Sequence, residues 1–289
     1  DRARRAVRRA ASKIRGGPVS VMAVQDGGWG ERWEDGRSRI GRGLSSFGRG
    51  LADLILPPMA HDSREATAAA GLTADAWSRV IFLEDPVCDG CGAVFEYDGG
   101  DFASDRCAAC IAQPYAFARA RAACVYDTAS RGLILKFKHG DQQQFASLFA
   151  RWLGRAAAPL VEDCDAVVPV PLHPSRLLSR RFNQAAEIAR PMARAAKREY
   201  LPDALIRARA TETQGGRSLR GRKLNVKSAF AVSEAGARNV RGRRILLVDD
   251  VLTTGATAEA CARALLDAGA RAVDLAVIAR VRTARELPR

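Results

Sequence analysis

The sequence predicts an α/β fold built on a parallel sheet and preceded by a small four-cysteine module. Three observations carry that expectation. Residues 245–265, ILLVDDVLTTGATAEACARAL, run four apolar residues into paired aspartates, then a loop of Thr, Gly and Ala, then a pattern with helical spacing. A second apolar run, VDLAVIARV at 273–281, follows. The stretch therefore reads as strand, loop, helix, strand, the unit of a parallel sheet that binds ligands at the carboxyl ends of its strands. Finally, four of the seven cysteines fall in two CxxC turns, CDGC at 88–91 and CAAC at 107–110, with fifteen residues between them.

A chain of 289 residues with 47% hydrophobic content can bury a substantial core in one large or two smaller domains. No apolar run approaches the ~18 residues of a membrane span, and no export signal is present, so the expectation is a cytoplasmic protein. The formal charge of +14 is unevenly placed. Residues 176–244 carry 18 Lys/Arg against 5 Asp/Glu, and residues 1–50 carry 12 against 5. Such clustering suits anionic partners such as phosphates or nucleic acid; the alternative is a solvated face with an arginine-rich composition.

Residues 1–43 are rich in Gly and Arg with little apolar periodicity, so they are expected to be a disordered basic extension that need not be native, with Met22 as an alternative start. Residues 44–121 form the expected N-terminal helix and zinc-ribbon module, and residues 122–289 the α/β domain. In the module, each CxxC turn sets two thiolates on one side of a tetrahedral ion, and the hairpin between them brings the second pair opposite. Cys88, Cys91, Cys107 and Cys110 thus predict one closed, structural Zn2+ site. Disulfides would need an oxidising compartment. Cys124, Cys164 and Cys261 lack such partners and are expected to be small buried residues. Changing Cys107 or Cys110 to Ser is expected to destabilise the N-terminal module and to leave the phosphate pocket intact.

Residues 244–248 read as a buried strand, and the helix from Thr257 directs Ala260, Ala264 and Leu265 toward the core, with Gly269 near its end. The small residues Thr253, Thr254, Gly255, Ala256 and Thr257 let backbone N–H groups close around an anion at the helix N-terminus, and the threonines add hydroxyl donors. Asp249 and Asp250 would repel a phosphate at contact distance. One sugar's width away they can accept hydrogen bonds from ribose hydroxyls. The loop lacks the Gly-Lys-Ser/Thr ending of a Walker motif.

A hydrophobic strand, two acidic residues and a TTG-type loop resemble the fingerprint of the type I phosphoribosyltransferases. With VVPVPLHPSRLLSRRFNQAAEIA at 167–189, TETQGGRSLRGRKLNVKSAF at 211–230 and the ribbon, the chain resembles the ComF family of competence-associated, phosphoribosyltransferase-like proteins over roughly residues 44–281. Two departures stand out. Arg181 takes a position that the family usually gives to Gly. Upstream, Ala60, Ser63, Thr73 and Ala76 occupy what look like the four positions of a second pair of CxxC turns found in some members, so that metal site is expected to be lost.

The resemblance implies a type I phosphoribosyltransferase fold and a donor, phosphoribosyl pyrophosphate, bound with Mg2+. It implies that Asp249 and Asp250 hold the ribose hydroxyls or Mg2+ waters and that residues 253–257 hold the 5′-phosphate. The loop containing Leu172, His173 and Arg176 would hold pyrophosphate; Lys136 and Lys138 could reach it, although lysines exposed on a loop are the commoner outcome. Residues 207–225, including Gln214, Arg220, Arg222 and Asn225, would form a mobile lid. Thr253 stands where the purine-salvage branch has its acidic base, which argues against hypoxanthine or guanine chemistry. Two functions follow: a phosphoribosyltransferase with an unidentified acceptor, tied to DNA uptake and its machinery, or a non-catalytic single-stranded-DNA-binding or sensor module that keeps the pocket.

Overall fold

The structure, a computed structural model, describes residues 71–95, 105–139, 144–172, 182–207 and 229–282. The expectations for residues 1–43, Ala60, Ser63, His173, Arg176, Arg181, Gln214, Arg220, Arg222 and Asn225 lie outside the described residues.

Two short helices precede the sheet, α1 (Ala74–Ser78) and α2 (Ala108–Ala112). Then come β1 (Ala120–Val125), α3 (Thr128–His139), α4 (Gln144–Ala156), α5 (Ala158–Asp163), β2 (Ala166–Pro169), α6 (Gln184–Ala196) and β3 (Glu199–Tyr200). A small antiparallel pair, β4 (Leu205–Arg207) and β5 (Phe230–Val232), is followed by α7 (Glu234–Val240), β6 (Arg244–Leu252), α8 (Ala256–Asp267) and β7 (Ala272–Arg280). The main sheet has the order β1-β7-β6-β2-β3, and every neighbouring pair is parallel.

The two nine-residue strands β6 and β7 form the centre, and their side chains alternate between two cores. Leu246, Val248, Ala276 and Ile278 face the layer that contains α3, α4 and α6. Ile245, Leu247, Val273, Leu275 and Val277 face α8. Both faces are buried, which is why these strands read as continuous apolar runs. Helix α4 seals its side with Phe145, Leu148, Phe149, Trp152 and Leu153, a stripe at helical spacing whose members are all buried.

The edges are managed differently. Residues 81–83 run antiparallel along β1, with Leu83 N–H donating to Ala123 O at 3.0 Å and Val125 N–H to Ile81 O at 2.9 Å. That cover blocks edge-to-edge pairing. At the amino end of β7, Asp274 is fully buried and receives the guanidinium groups of Arg119, at 2.9 Å, and Arg244, at 2.7 Å.

In α1, Thr73 is the N-cap and its hydroxyl accepts from Ala76 N–H at 3.2 Å, while Ala76 is buried. At two of the positions that lack thiols, a side-chain cap and packing hold the turn.

Candidate functional site

Strand β6 runs on through the aspartates. Its register with β7 continues to Leu252, placing Asp249 opposite Val277 and Val251 opposite Ala279. The sequence ended this strand at Val248, where its pairing with β2 does stop at Pro169. Both carboxylates therefore stand on a fixed strand, beside an opening where β2 turns away.

Asp250 N–H donates to Asp249 Oδ1 at 2.8 Å, and Lys138 Nζ lies 2.7 Å from Asp250 Oδ2, with both of these charged side chains largely buried. Lys138 comes from the last turn of α3, whose start is fixed by reciprocal bonds between Asp127 and Ser130, at 2.9 and 3.0 Å. It is a partner of the aspartate pair rather than an exposed loop lysine. Burial, and after it the charge of Asp250, pushes the Asp249 carboxyl up to about 7, against the opposing charges of Lys138 and Arg207.

The small-residue loop follows directly. Thr253 and Thr254 are exposed, and Gly255, with φ of 77°, is the N-cap of α8. A Cβ at Gly255 would lie 2.6 Å from Tyr115 Cε1. Backbone conformation and close approach thus both demand glycine. The first amides of α8 have no intrahelical acceptor, and the helix dipole favours negative charge there. A cavity lined by Asp249, Val277 and residues 251–258 opens at this point.

The loop after β2 begins with buried Val170 and half-buried Pro171 and Leu172. Its base is clasped: Asn183 Nδ2 donates to Val170 O at 3.0 Å while Asn183 Oδ1 caps α6 by accepting from Ala185 N–H. Phe182 packs on Phe137 at 5.8 Å between ring centroids, and Gln184 is buried. The Phe-Asn-Gln sequence therefore fixes where the loop starts and ends. The residues expected to cover the site lie between β4 and β5, which pair Arg207 with Phe230 and set the guanidinium 5.2 Å from the ring centroid.

The four cysteines converge as their spacing predicts. Their Sγ atoms all lie within 4.8 Å of one another, with Cys91 and Cys107 at 3.9 Å. A tetrahedral zinc site with Zn–S bonds of about 2.3 Å places its sulfurs about 3.8 Å apart, so this donor set fits zinc. Cys107 N–H donates to Cys88 Sγ at 3.1 Å. The Cys91 thiol, together with backbone donors, holds Cys88 well below its ordinary value, at about 4, while burial pushes Cys110 up to about 12. In the CDGC turn, a Cβ on Gly90 would lie 2.8 Å from Cys110 Cβ. Cys124, Cys164 and Cys261 are buried as expected, and burial raises all three thiols, the first two to about 12.

The cysteine module does not stand apart from the loop. Tyr115, five residues beyond Cys110, packs against both the cysteine cluster and the core beneath α8. Its ring stacks on Phe117 at 4.6 Å, and its hydroxyl reaches Thr254 O at 3.4 Å. The next residue, Ala116, donates its N–H to Glu259 in the first turn of α8 at 2.6 Å. Sequence reasoning missed Tyr115, because an aromatic pair after a ribbon reads only as core.

A parallel sheet with this acidic strand end and small-residue loop, carrying a four-cysteine cluster at its edge, is a type I phosphoribosyltransferase fold preceded by a zinc-ribbon module. Residues 180–289 match the phosphoribosyl transferase domain family. The chain is 34% identical over 175 residues to DNA utilization protein YhgH of Escherichia coli strain K12, covering 58% of this chain and 75% of that protein. It is 29% identical over 208 residues to competence protein F of Haemophilus influenzae, covering 68% and 85% respectively. A shorter likeness, 50% over 44 residues, joins it to adenine phosphoribosyltransferase of Rhodococcus opacus, covering 15% of this chain and 25% of that one. The chain belongs to the ComF family.

Proposed function

We propose that the chain binds phosphoribosyl pyrophosphate with Mg2+ at the end of β6 and acts in DNA uptake or utilization, as a phosphoribosyltransferase with an unidentified acceptor. One observation carries this reading: paired carboxylates fixed on β6 stand beside a Gly255-centred loop whose following helix presents unpartnered amides. Residues 253–257 hold the 5′-phosphate through amides and hydroxyls. Asp249 and Asp250 accept the ribose hydroxyls or waters of Mg2+, and Lys138 holds Asp250 in place. Leu172, His173 and Arg176 cradle the pyrophosphate, and the segment with Gln214, Arg220, Arg222 and Asn225 covers it. Mg2+, when bound, neutralises charge on the pyrophosphate. Catalysis in such a site is mainly positioning and stabilisation of the leaving group's charge. The names of the DNA utilization and competence relatives support the cellular role.

Titration calorimetry with phosphoribosyl pyrophosphate and Mg2+ tests the pocket. The double variant Asp249→Asn, Asp250→Asn should lose about a hundredfold or more in affinity, since each hydrogen bond to a charged group contributes ~1.5–3 kcal/mol. Thr254→Val probes the loop separately. Absence of Mg2+-dependent binding to the wild-type protein at millimolar donor would end the transferase reading.

A second reading, direct binding of single-stranded DNA, is favoured by the 18 Lys/Arg against 5 Asp/Glu in residues 176–244. Binding through phosphates would weaken steeply with salt and show little sequence preference. Replacing Arg217, Arg220 and Arg222 with Ala should then flatten the salt slope by roughly one unit for each phosphate no longer neutralised. Gel shifts at two salt concentrations, with and without phosphoribosyl pyrophosphate, check this. If those arginines serve the lid alone, the shift is unchanged while donor binding suffers.

A further inference from the structure

We propose that Tyr115 is a positioning residue for the phosphate loop and that, through it, the loop's hold on a phosphoryl ligand depends on the metal state of the four-cysteine centre. This rests on the phosphoribosyl reading of the pocket and adds a controlling connection to it.

Tyr115 bridges the gap between the two sites with a single side chain. On one side it packs with the cluster formed by Cys88, Cys91 and Cys110. On the other its ring edge fills the space where Gly255 would carry a side chain, 2.6 Å from that Cβ position. Gly255 is the left-handed N-cap whose conformation aims the first amides of α8 at the cavity. The ring therefore backs the residue that sets the anion-binding geometry. Its hydroxyl bond to Thr254 O, at 3.4 Å, is long and exposed, so the wedge acts through ring packing.

The chain around Tyr115 is held at both ends. Upstream, α2 carries Cys110 and starts from Cys107 as its N-cap, and both belong to the cysteine cluster. Downstream, Ala116 N–H is bound by Glu259, Phe117 is fully buried, and Ala118 N–H donates to Val273 O at 2.7 Å. With its downstream end fixed to the sheet, the orientation of the ring is set by the upstream end. That end is held where Cys107 and Cys110 converge with Cys88 and Cys91. Without a shared ion the four sulfurs would be free to separate, which would loosen α2 and weaken the backing of Gly255.

The test uses the full chain and two readouts: affinity for phosphoribosyl pyrophosphate with Mg2+, and amide exchange over residues 253–258 without ligand. Tyr115→Ala should lower affinity and speed exchange by about five- to tenfold, the lower end of ordinary site-to-site coupling, with zinc content unchanged. Tyr115→Phe should restore both. Zinc removal by a chelator should reproduce the loss in the wild-type protein, zinc addition should reverse it, and neither should act in the Tyr115→Ala background. Cys110→Ser gives a second route to the same comparison. Wild-type affinity and exchange in Tyr115→Ala, or an equal effect of zinc removal in that background, overturns the coupling. If the wild-type protein binds no phosphoribosyl pyrophosphate, the phosphoribosyl reading falls, and the exchange rates alone decide whether Tyr115 connects the two sites.

Discussion

Asp249 shows how much one residue's surroundings can add to its sequence motif. Its carboxyl is pushed up to about 7, first by burial and then by Asp250, whereas an unfolded aspartate titrates near 3.8. Between those values the folded chain keeps a proton that the unfolded chain releases, so stability falls as pH rises from about 4 to about 7 and then levels off. Asp249→Asn fixes the neutral form and keeps the oxygen that accepts from Asp250 N–H. It should therefore melt higher than the wild-type protein at pH 8 and converge with it near pH 4, as thermal unfolding at the two pH values would show. Donor affinity should move the opposite way and strengthen as the wild-type carboxylate ionises. The aspartates and residues 253–257 were legible because strand end, loop and helix start are contiguous. Tyr115 was not, and Lys138, named for the pyrophosphate, was not read as the partner of Asp250, because each reaches the site from a distant element and nothing in its local pattern says which face it meets.

Among the elements, the central strands were the most legible, since strands buried on both faces leave long apolar runs. Yet β7 hides a charge that no such pattern explains. Asp274 interrupts VDLAVIARV and is fully buried, bound by Arg119 and Arg244 at two oxygens each. Arg119 sits just before β1, Arg244 begins β6, and Asp274 lies in β7, so the trio locks the amino ends of three adjacent strands. The same pairing raises the Arg119 guanidinium's affinity for its proton, with Asp274 the main cause. Asp274→Ala would leave two guanidiniums without that counter-charge and should cost about 3 kcal/mol or more, read from urea unfolding. Donor affinity should hardly change in the folded variant, because the trio stands at the opposite end of the sheet from Asp249. Sequence could assign the strand but not this lock, because the register of three strands decides which charges meet. The Phe-Asn-Gln sequence after the β2 loop is a similar case: its resemblance to the family is visible in one dimension, but its work as a clasp through Asn183 and Val170 appears only in three.

At the scale of the whole molecule, the sequence suggested a ribbon appended to a domain, and the structure makes the ribbon part of the sheet's edge. Asp89, inside the first CxxC turn, accepts from Ala120 N–H at 2.7 Å through its carbonyl and from Arg121 at 2.7 Å through its carboxylate. Arg106, next to Cys107, donates to Ala118 O at 2.8 Å. These bonds hold the cysteine turns against β1, while Tyr115 and Glu259 join the following segment to α8. A closed four-thiolate site contributes its binding free energy to folding. Because the ribbon shares hydrogen bonds with β1, that contribution should reach the sheet instead of being confined to a separate module. Elemental analysis should find about one zinc per chain. Removing it should lower the midpoint of a single cooperative transition, followed together by far-ultraviolet dichroism and by intrinsic tryptophan fluorescence, to which Trp152 contributes from among Phe82 and Phe149 in the core on the opposite face of the sheet from α8. Two separate transitions, with only the earlier one sensitive to zinc, would instead make the ribbon an independent unit. An unchanged melting profile without zinc would remove the metal's structural role altogether.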